Sequence, residues 1–359
     1  MKYLKTLIPL ILLTIVLTYL TDGTFITARN LTNLARQVAI NGILATGMTY
    51  VILIAGIDLS VGSVAALAGV VAGLVQTVFL TGTVASSPVL GAVLAIFAAV
   101  LTGTICGVFN GFLITRLRIA PFIITLGMMV IARGLALIFA NGAAIAPLND
   151  TFNWIGQEYF DPALSIGMIG IAGAIPALLA LRHRRWISGL ATIALAGFCA
   201  WAFLNYRGLP IPVVIYALIA FVGILILDHT RLGRSVLAIG GNPEAAWLAG
   251  ISIQRMTLGI YVALGAMAGL SGAILAARLN GALPTAGELF ELDAIAAVVI
   301  GGTSLTGGVG SVQGTILGAF LIGAMNNGMS LLDVTEFYQK VIKGVIIITA
   351  VALDMRGRK

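Results

Sequence analysis

Long, nearly unbroken apolar runs separated by short polar punctuation dominate this chain. They show no alternation of period two, which excludes the strands of a transmembrane β-barrel. Several reach the roughly 18–20 residues a helix needs to cross a bilayer. The runs predict spans at about Leu4–Leu20, Gln37–Ala55, Ser63–Leu80, Pro88–Ile114, Pro121–Ala140, Ala163–Leu181, Trp186–Leu204, Ile211–Leu227, Thr257–Ala277, Gln313–Ser330 and Val341–Leu353. One further run, Leu292–Gly301, is too short for a straight crossing. It leads into Gly301–Ser311, a stretch so rich in glycine that no straight helix would tolerate it, and so predicts a broken element. The expected fold is all-α: a polytopic transmembrane helical bundle of about 10–12 spans with broken or re-entrant elements. If the short run crosses, the total is about twelve.

Composition agrees. Of 359 residues, 60% are hydrophobic and only 9% charged, whereas a soluble domain carries roughly a quarter charged residues. The 44 glycines, mostly inside apolar runs, suit helices whose backbones approach closely in lipid. Gly69/Gly73, Gly103/Gly107/Gly111, Gly265/Gly269 and Gly314/Gly318 are expected packing faces. The net charge of +7 reads as cytoplasmic loops rich in Lys and Arg, with no basic run long enough for nucleic acid. Arg116–Arg118, Arg182–Arg185, Asp228–Arg255 and the C-terminal Arg356–Lys359 fall on one side, together with Lys2 and Lys5. Both termini are therefore expected in the cytoplasm, with Leu4–Leu20 an uncleaved first span.

Several chemistries lack their residues. No Gly-Lys pair exists for a nucleotide-binding P-loop, and no serine sits in a G-x-S-x-G turn. His183 and His229 form no metal cluster, and Cys106 and Cys199 read as small core hydrophobes. No catalytic residue, metal site or cofactor of this chain's own is expected. Intramembrane acids for an ion-coupled carrier are also thin, the candidates being Asp58 and Asp293.

The segment 228–256 offers a mechanism. Within it, Asn242 can cap a helix, Pro243 suits its first position, Glu244 favours its positive end and Gly250 stops it. The result is a short helix outside the membrane that presents Trp247 and Leu248. It serves either as a docking lever for another protein or as an ordinary interfacial helix.

Here a resemblance becomes specific. Glu244-Ala245-Ala246 followed by Gly250 matches the EAA-x-x-x-G loop of binding-protein-dependent ABC permeases. Gly56-Ile57-Asp58-Leu59-Ser60-Val61-Gly62-Ser63 resembles an element of ribose/xylose-type sugar-importer permeases, as do Thr125–Gly134, Gly233-Arg234-Ser235 and Gly301–Gly310, in the family's order. The resemblance implies a single permease domain over residues 1–359 in a bacterial inner membrane. It implies a sugar substrate, a second permease copy, an extracytoplasmic sugar-binding protein and a cytoplasmic ATPase that holds ATP and Mg. The segment 163–206 looks like a pair of spans added to the ribose-type core, which tilts the solute toward a pentose. A nucleoside or branched-chain amino-acid permease, an ion-coupled carrier and a non-transporting scaffold remain as alternatives.

Six residues are candidates for a translocation path or gate: Asp58, Ser60, Asn41, Asn110, Arg133 and Asn326. Each has a plainer reading. Asp58 would cap the third span near the cytoplasmic surface, Arg133 would contact either a solute or an external-loop acid, and the amides would join helices. Gly56–Val64 and Gly302–Val312 share a Gly, a Leu-Ser/Thr pair and a closing Gly-Ser-Val, as a repeat would.

Overall fold

The computed structural model describes residues 4–79, 81–182 and 186–356, so the predicted Arg182–Arg185 loop lies largely outside it. Among the described residues the helices are, in order, α1 (Leu4–Leu20), α2 (Ala28–Leu53), α3 (Val61–Leu74), α4 (Thr81–Ser86), α5 (Pro88–Leu117), α6 (Pro121–Phe139), α7 (Asp150–Gln157) and α8 (Pro162–Arg182). They continue with α9 (Trp186–Leu204), α10 (Ile211–His229), α11 (Arg231–Gly241), α12 (Pro243–Leu248), α13 (Ile253–Leu279), α14 (Phe290–Ile300), α15 (Val312–Leu331) and α16 (Glu336–Arg356). Five are long and apolar enough to cross a membrane: α3 with the π turn Val75–Phe79 that prolongs it, α5, α6, α10 and α13.

Local chemistry sets the ends. Prolines open α5, α6 and α10, where a missing N–H costs nothing. Thr27 accepts the Asn30 N–H to cap α2, and Ser311 accepts the Gly314 N–H to cap α15. Three predicted boundaries move. α2 begins nine residues before Gln37, because Asn30 and Arg36, polar enough to interrupt an apolar run, are satisfied inside the protein. Asn30 pairs with Asn327, while Arg36 donates to the Gly156 carbonyl and the Tyr159 hydroxyl. The loops at Thr81–Ser87 and Asn141–Pro162 contain α4 and α7, the latter capped by Asn149.

Helices α2, α3, α5, α13, α14 and α15 form the core. A close seam joins α5 to α13: a Cβ on Gly103 would stand 2.1 Å from the Gly265 carbonyl oxygen, and one on Gly269 2.3 Å from that of Ala99. These are the backbone-on-backbone contacts that small residues permit. Helices α8 and α9 pack on one another and meet the core through a small cluster of Ala35, Ile169, Phe203 and Leu209.

Two elements are broken, and they meet. α3 has 14 residues and α14 has 11, or about 21 Å and about 17 Å. Helix α14 falls well short of the roughly 30 Å of a bilayer core, and α3 approaches it only with the π turn Val75–Phe79. Their first turns abut, since a Cβ on Gly62 would stand 2.2 Å from the Gly287 carbonyl oxygen and 2.5 Å from Glu291 Oε2. From that joint α3 runs toward the 280–289 loop, with Gly73 beside Ala282 and Ile145. α14 runs the other way, to an end where the Thr6 hydroxyl donates to the Ile300 carbonyl. The expected repeat does not hold at this level. Gly62 and Ser63 lie inside α3, whereas Gly310 and Ser311 precede α15 and Ser311 is its cap. The matching letters occupy different positions relative to their helices.

Candidate functional site

All eight residues singled out around α12 fall on one capped turn. Asn242 Oδ1 accepts the Ala245 N–H at 3.0 Å, Pro243 takes the first position and Glu244 sits in the first turn. At the far end Gly250 adopts φ +81, and the N–H groups of Gly250 and Ile251 return to the carbonyls of Trp247 and Ala246. That pair of bonds is a Schellman close, which glycine makes without strain. Ala246 is buried, while Trp247 and Leu248 are 66% and 73% exposed. Trp247 forms one wall of a groove of about 870 Å³ whose opposite wall is the α5–α6 link, Ile114–Pro121.

Helix α11, absent from the sequence-based expectation, connects this turn to the core. Thr230 caps it by accepting the Gly233 N–H. Near its end Gly240 presses on two other segments: a Cβ there would stand 1.8 Å from the Leu53 carbonyl oxygen and 2.3 Å from the Gly308 nitrogen. Helix α11 therefore touches both the end of α2, from which the chain enters the Gly56–Ser60 stretch and α3, and the loop that follows α14.

The six path candidates separate into three places. Asp58, Ser60 and Asn110 come together. Asp58 Oδ1 accepts the Ser60 N–H (2.7 Å) and hydroxyl (2.6 Å), and Asn110 Nδ2 donates to the Ser60 hydroxyl oxygen at 3.1 Å. Ser60, and not Asp58, stands at the cap position of α3, because the helix starts at Val61 and leaves Asp58 two residues too early. Nor is Asp58 near the surface: it is 3% exposed and bonded through Ser60 to Asn110, seven residues or about 10 Å from the nearer end of α5. The Asn110 Oδ1 and Tyr261 hydroxyl beside it are buried without a partner among the described residues.

Arg133 stands alone. Its guanidinium donates to the carbonyls of Pro284 and Ala286 at 2.7 and 2.8 Å, and so holds the descending limb of the 280–289 loop. Glu288, on that loop, pairs with Lys340 at 2.8 Å, and the hydrogen bond from Lys340 holds its carboxyl below the usual range.

Asn41 and Asn326 line a polar pocket of about 230 Å³ among α2, α13, α14, α15 and α16. Asp293 is there too, 3% exposed, accepting from Lys343 Nζ and Asn326 Nδ2, each at 3.0 Å. Lys343 falls at the start of the predicted span Val341–Leu353, and only the fold brings it onto Asp293. Among the described residues no group of three His, Cys, Asp or Glu is placed to hold a metal ion.

Residues 30–351 match the family described as branched-chain amino acid transport system / permease component. The chain is 39% identical over 357 residues to the xylose transport system permease protein XylH of Escherichia coli (strain K12), covering 95% of this chain and 88% of that protein. It is 40% identical over 359 residues to the ribose import permease protein RbsC of Bacillus subtilis (strain 168), covering 99% and 94%. Against RbsC of Escherichia coli (strain K12) the identity is 37%, covering 98% and 92%. No solved structure matches.

Proposed function

This chain belongs to the family of branched-chain amino acid transport system / permease components, and from that premise we propose that it is the inner-membrane permease subunit of an ATP-driven importer of a monosaccharide, a pentose such as xylose or ribose. The observation that carries this reading is the capped α12 turn, with Trp247 and Leu248 offered to a partner at the edge of a groove. A cytoplasmic ATPase subunit docks there and supplies ATP and Mg; this chain hydrolyses nothing. An extracytoplasmic binding protein delivers the sugar at the opposite end, and a second copy of the chain completes the pore. Both termini lie in the cytoplasm with α11 and α12.

Motion then has a defined route. Displacement of α12 is passed by α11 through Gly240 to Leu53 and Gly308. Leu53 leads into the Gly56–Ser60 stretch and α3; Gly308 belongs to the loop between α14 and α15. Asn41 and Asn326 line the outer part of the path, and Asp58, Ser60 and Asn110 the inner part. Arg133 fixes the loop between them. Helices α8 and α9, residues 163–206, are a peripheral addition to this machinery.

A branched-chain amino acid is the second reading, favoured by the family's description. Uptake of labelled xylose, ribose and leucine into proteoliposomes holding this chain, its ATPase and its binding protein decides between them. Pentose uptake that needs ATP is expected. Leucine uptake without pentose uptake overturns the sugar, and gradient-driven uptake without the ATPase overturns the class.

A further inference from the structure

The pocket that contains Asp293 is lined by residues of one chain. Two of its buried acceptors, Asn41 Oδ1 and Asn326 Oδ1, receive no hydrogen bond among the described residues. A buried acceptor left empty carries a desolvation cost that a donor from an occupant would remove. Arg278 also lines the pocket, and among the described residues it has no carboxylate within ion-pair distance. An occupant with donors for two amide oxygens and an acceptor for a guanidinium would satisfy all three groups.

Charge narrows the class. A metal cation would face Lys343 and Arg278. An anion could reach Arg278 but would also face the two amide carbonyl oxygens and Asp293. A zwitterion would need a free carboxylate for its ammonium, and Asp293 is already taken by Lys343 and Asn326. A hydroxyl both donates and accepts without net charge, and carbon faces between hydroxyls can rest on the apolar wall at Ile322 and Leu275. At about 230 Å³ the pocket is smaller than the roughly 300–1,000 Å³ of sites for drug-sized ligands, so the occupant is small.

We propose that this pocket is a monosaccharide subsite within one protomer, in which Asn41, Asn326 and Arg278 hold the sugar hydroxyls and the Lys343–Asp293 pair forms one wall. It rests on the sugar reading above and adds to it where the solute pauses. Because Lys343 and Asn326 already occupy Asp293, the pocket keeps no carboxylate for an ammonium, and the subsite takes neutral polyols in preference to amino acids.

The test uses the full chain in lipid nanodiscs, with Cys106→Ala and Cys199→Ala as background and Asn326→Cys or Asn41→Cys as the reporter. A small polar thiol reagent is added with xylose, ribose or leucine, and variants are first checked for monodispersity. Xylose or ribose at about ten times its Kd is expected to slow labelling about tenfold, by mass action, and leucine to leave it unchanged. Saturation-transfer NMR with xylose on the unaltered chain gives a reading that no substitution can disturb, and transfer is expected. No protection at either cysteine, or no transfer to xylose, overturns the subsite; sugar uptake by the unaltered complex would then leave the transport reading standing. Protection by leucine alone, with leucine uptake, overturns both.

Discussion

Gly308 donates its backbone N–H to the carbonyl of Leu53 at 2.9 Å, so the end of α2 and the loop after α14 are joined directly. Gly240 of α11 lies against both partners of that bond. Only backbone meets at this point, so no side chain is available to absorb a change.

Gly240→Val should therefore be costly. The β-carbon would overlap the Leu53 oxygen and the Gly308 nitrogen, and overpacking of this kind costs about 1–3 kcal/mol or more. Gly241→Ala, whose added carbon meets nothing within 4 Å, should change stability by less than about 0.5 kcal/mol. Thermal unfolding of the two purified variants in detergent checks the contrast.

Docking at α12 should be separable from folding. Trp247→Ala with Leu248→Ala removes exposed side chains and should leave the melting curve within about 0.5 kcal/mol, yet abolish copurification of the ATPase and sugar uptake. Full uptake by that double variant, or by Glu244→Lys with Gly250→Arg, would sink the docking assignment.

The cap of α12 should be measurable by itself. Asn242→Ala removes the acceptor of the Ala245 N–H at a cost of about 1 kcal/mol to the short helix. Faster hydrogen exchange at the Ala245 and Ala246 amides, with unchanged exchange in α13, is the expected pattern.

Arg133→Met should loosen the 280–289 loop. It withdraws a charged donor from the Pro284 and Ala286 carbonyls, and bonds to charged groups are each worth about 1.5–3 kcal/mol. Arg133→Lys should rescue only part of this, since an ammonium lacks the planar fork. Limited proteolysis between Gly281 and Leu289 reads the effect.

Two ion pairs on α16 should behave differently. Lys343→Met strands a buried Asp293 and should cost about 3–5 kcal/mol, whereas Lys340→Met breaks an exposed pair worth about 0–1 kcal/mol. The Glu288 carboxyl is held low, so its small contribution is present above the ordinary carboxyl pKa of about 4.3. It is lost as the pH falls through the lower folded value. The melting point of Lys340→Met should accordingly approach that of the parent chain under acid conditions.

Legibility from sequence tracked the range of the interaction. The α12 turn was readable residue by residue because Asn242, Pro243, Glu244 and Gly250 act on groups within a few positions of themselves. Helix α14 and the break after it were readable as a short apolar run and a glycine cluster, and the glycine faces as small-residue spacing. What escaped were meetings across the chain. Gly240 on Leu53, Gly62 on Gly287 and Lys343 on Asp293 join segments whose local sequences carry no record of each other. Asp58 was placed too near the surface for the same reason: charge counting assigns a side to a loop but does not see one that folds back among α5, α6 and α13. Helix α7 was missed because the expectation ended with the apolar runs, while α7 is held by its Asn149 cap and packing on α13.

The seam between α5 and α13 has a consequence for genetics. Where a large side chain is lost or gained in an ordinary core, a compensating change in its neighbour can restore the fit. At Gly103, Gly265 and Gly269 the neighbour is main chain, which no codon change can trim. Loss-of-function alleles at these three positions should therefore yield true revertants and almost no second-site suppressors on the facing helix. Alleles at Gly328, whose added carbon would meet the Leu17 side chain first, should be suppressible by a smaller residue at Leu17.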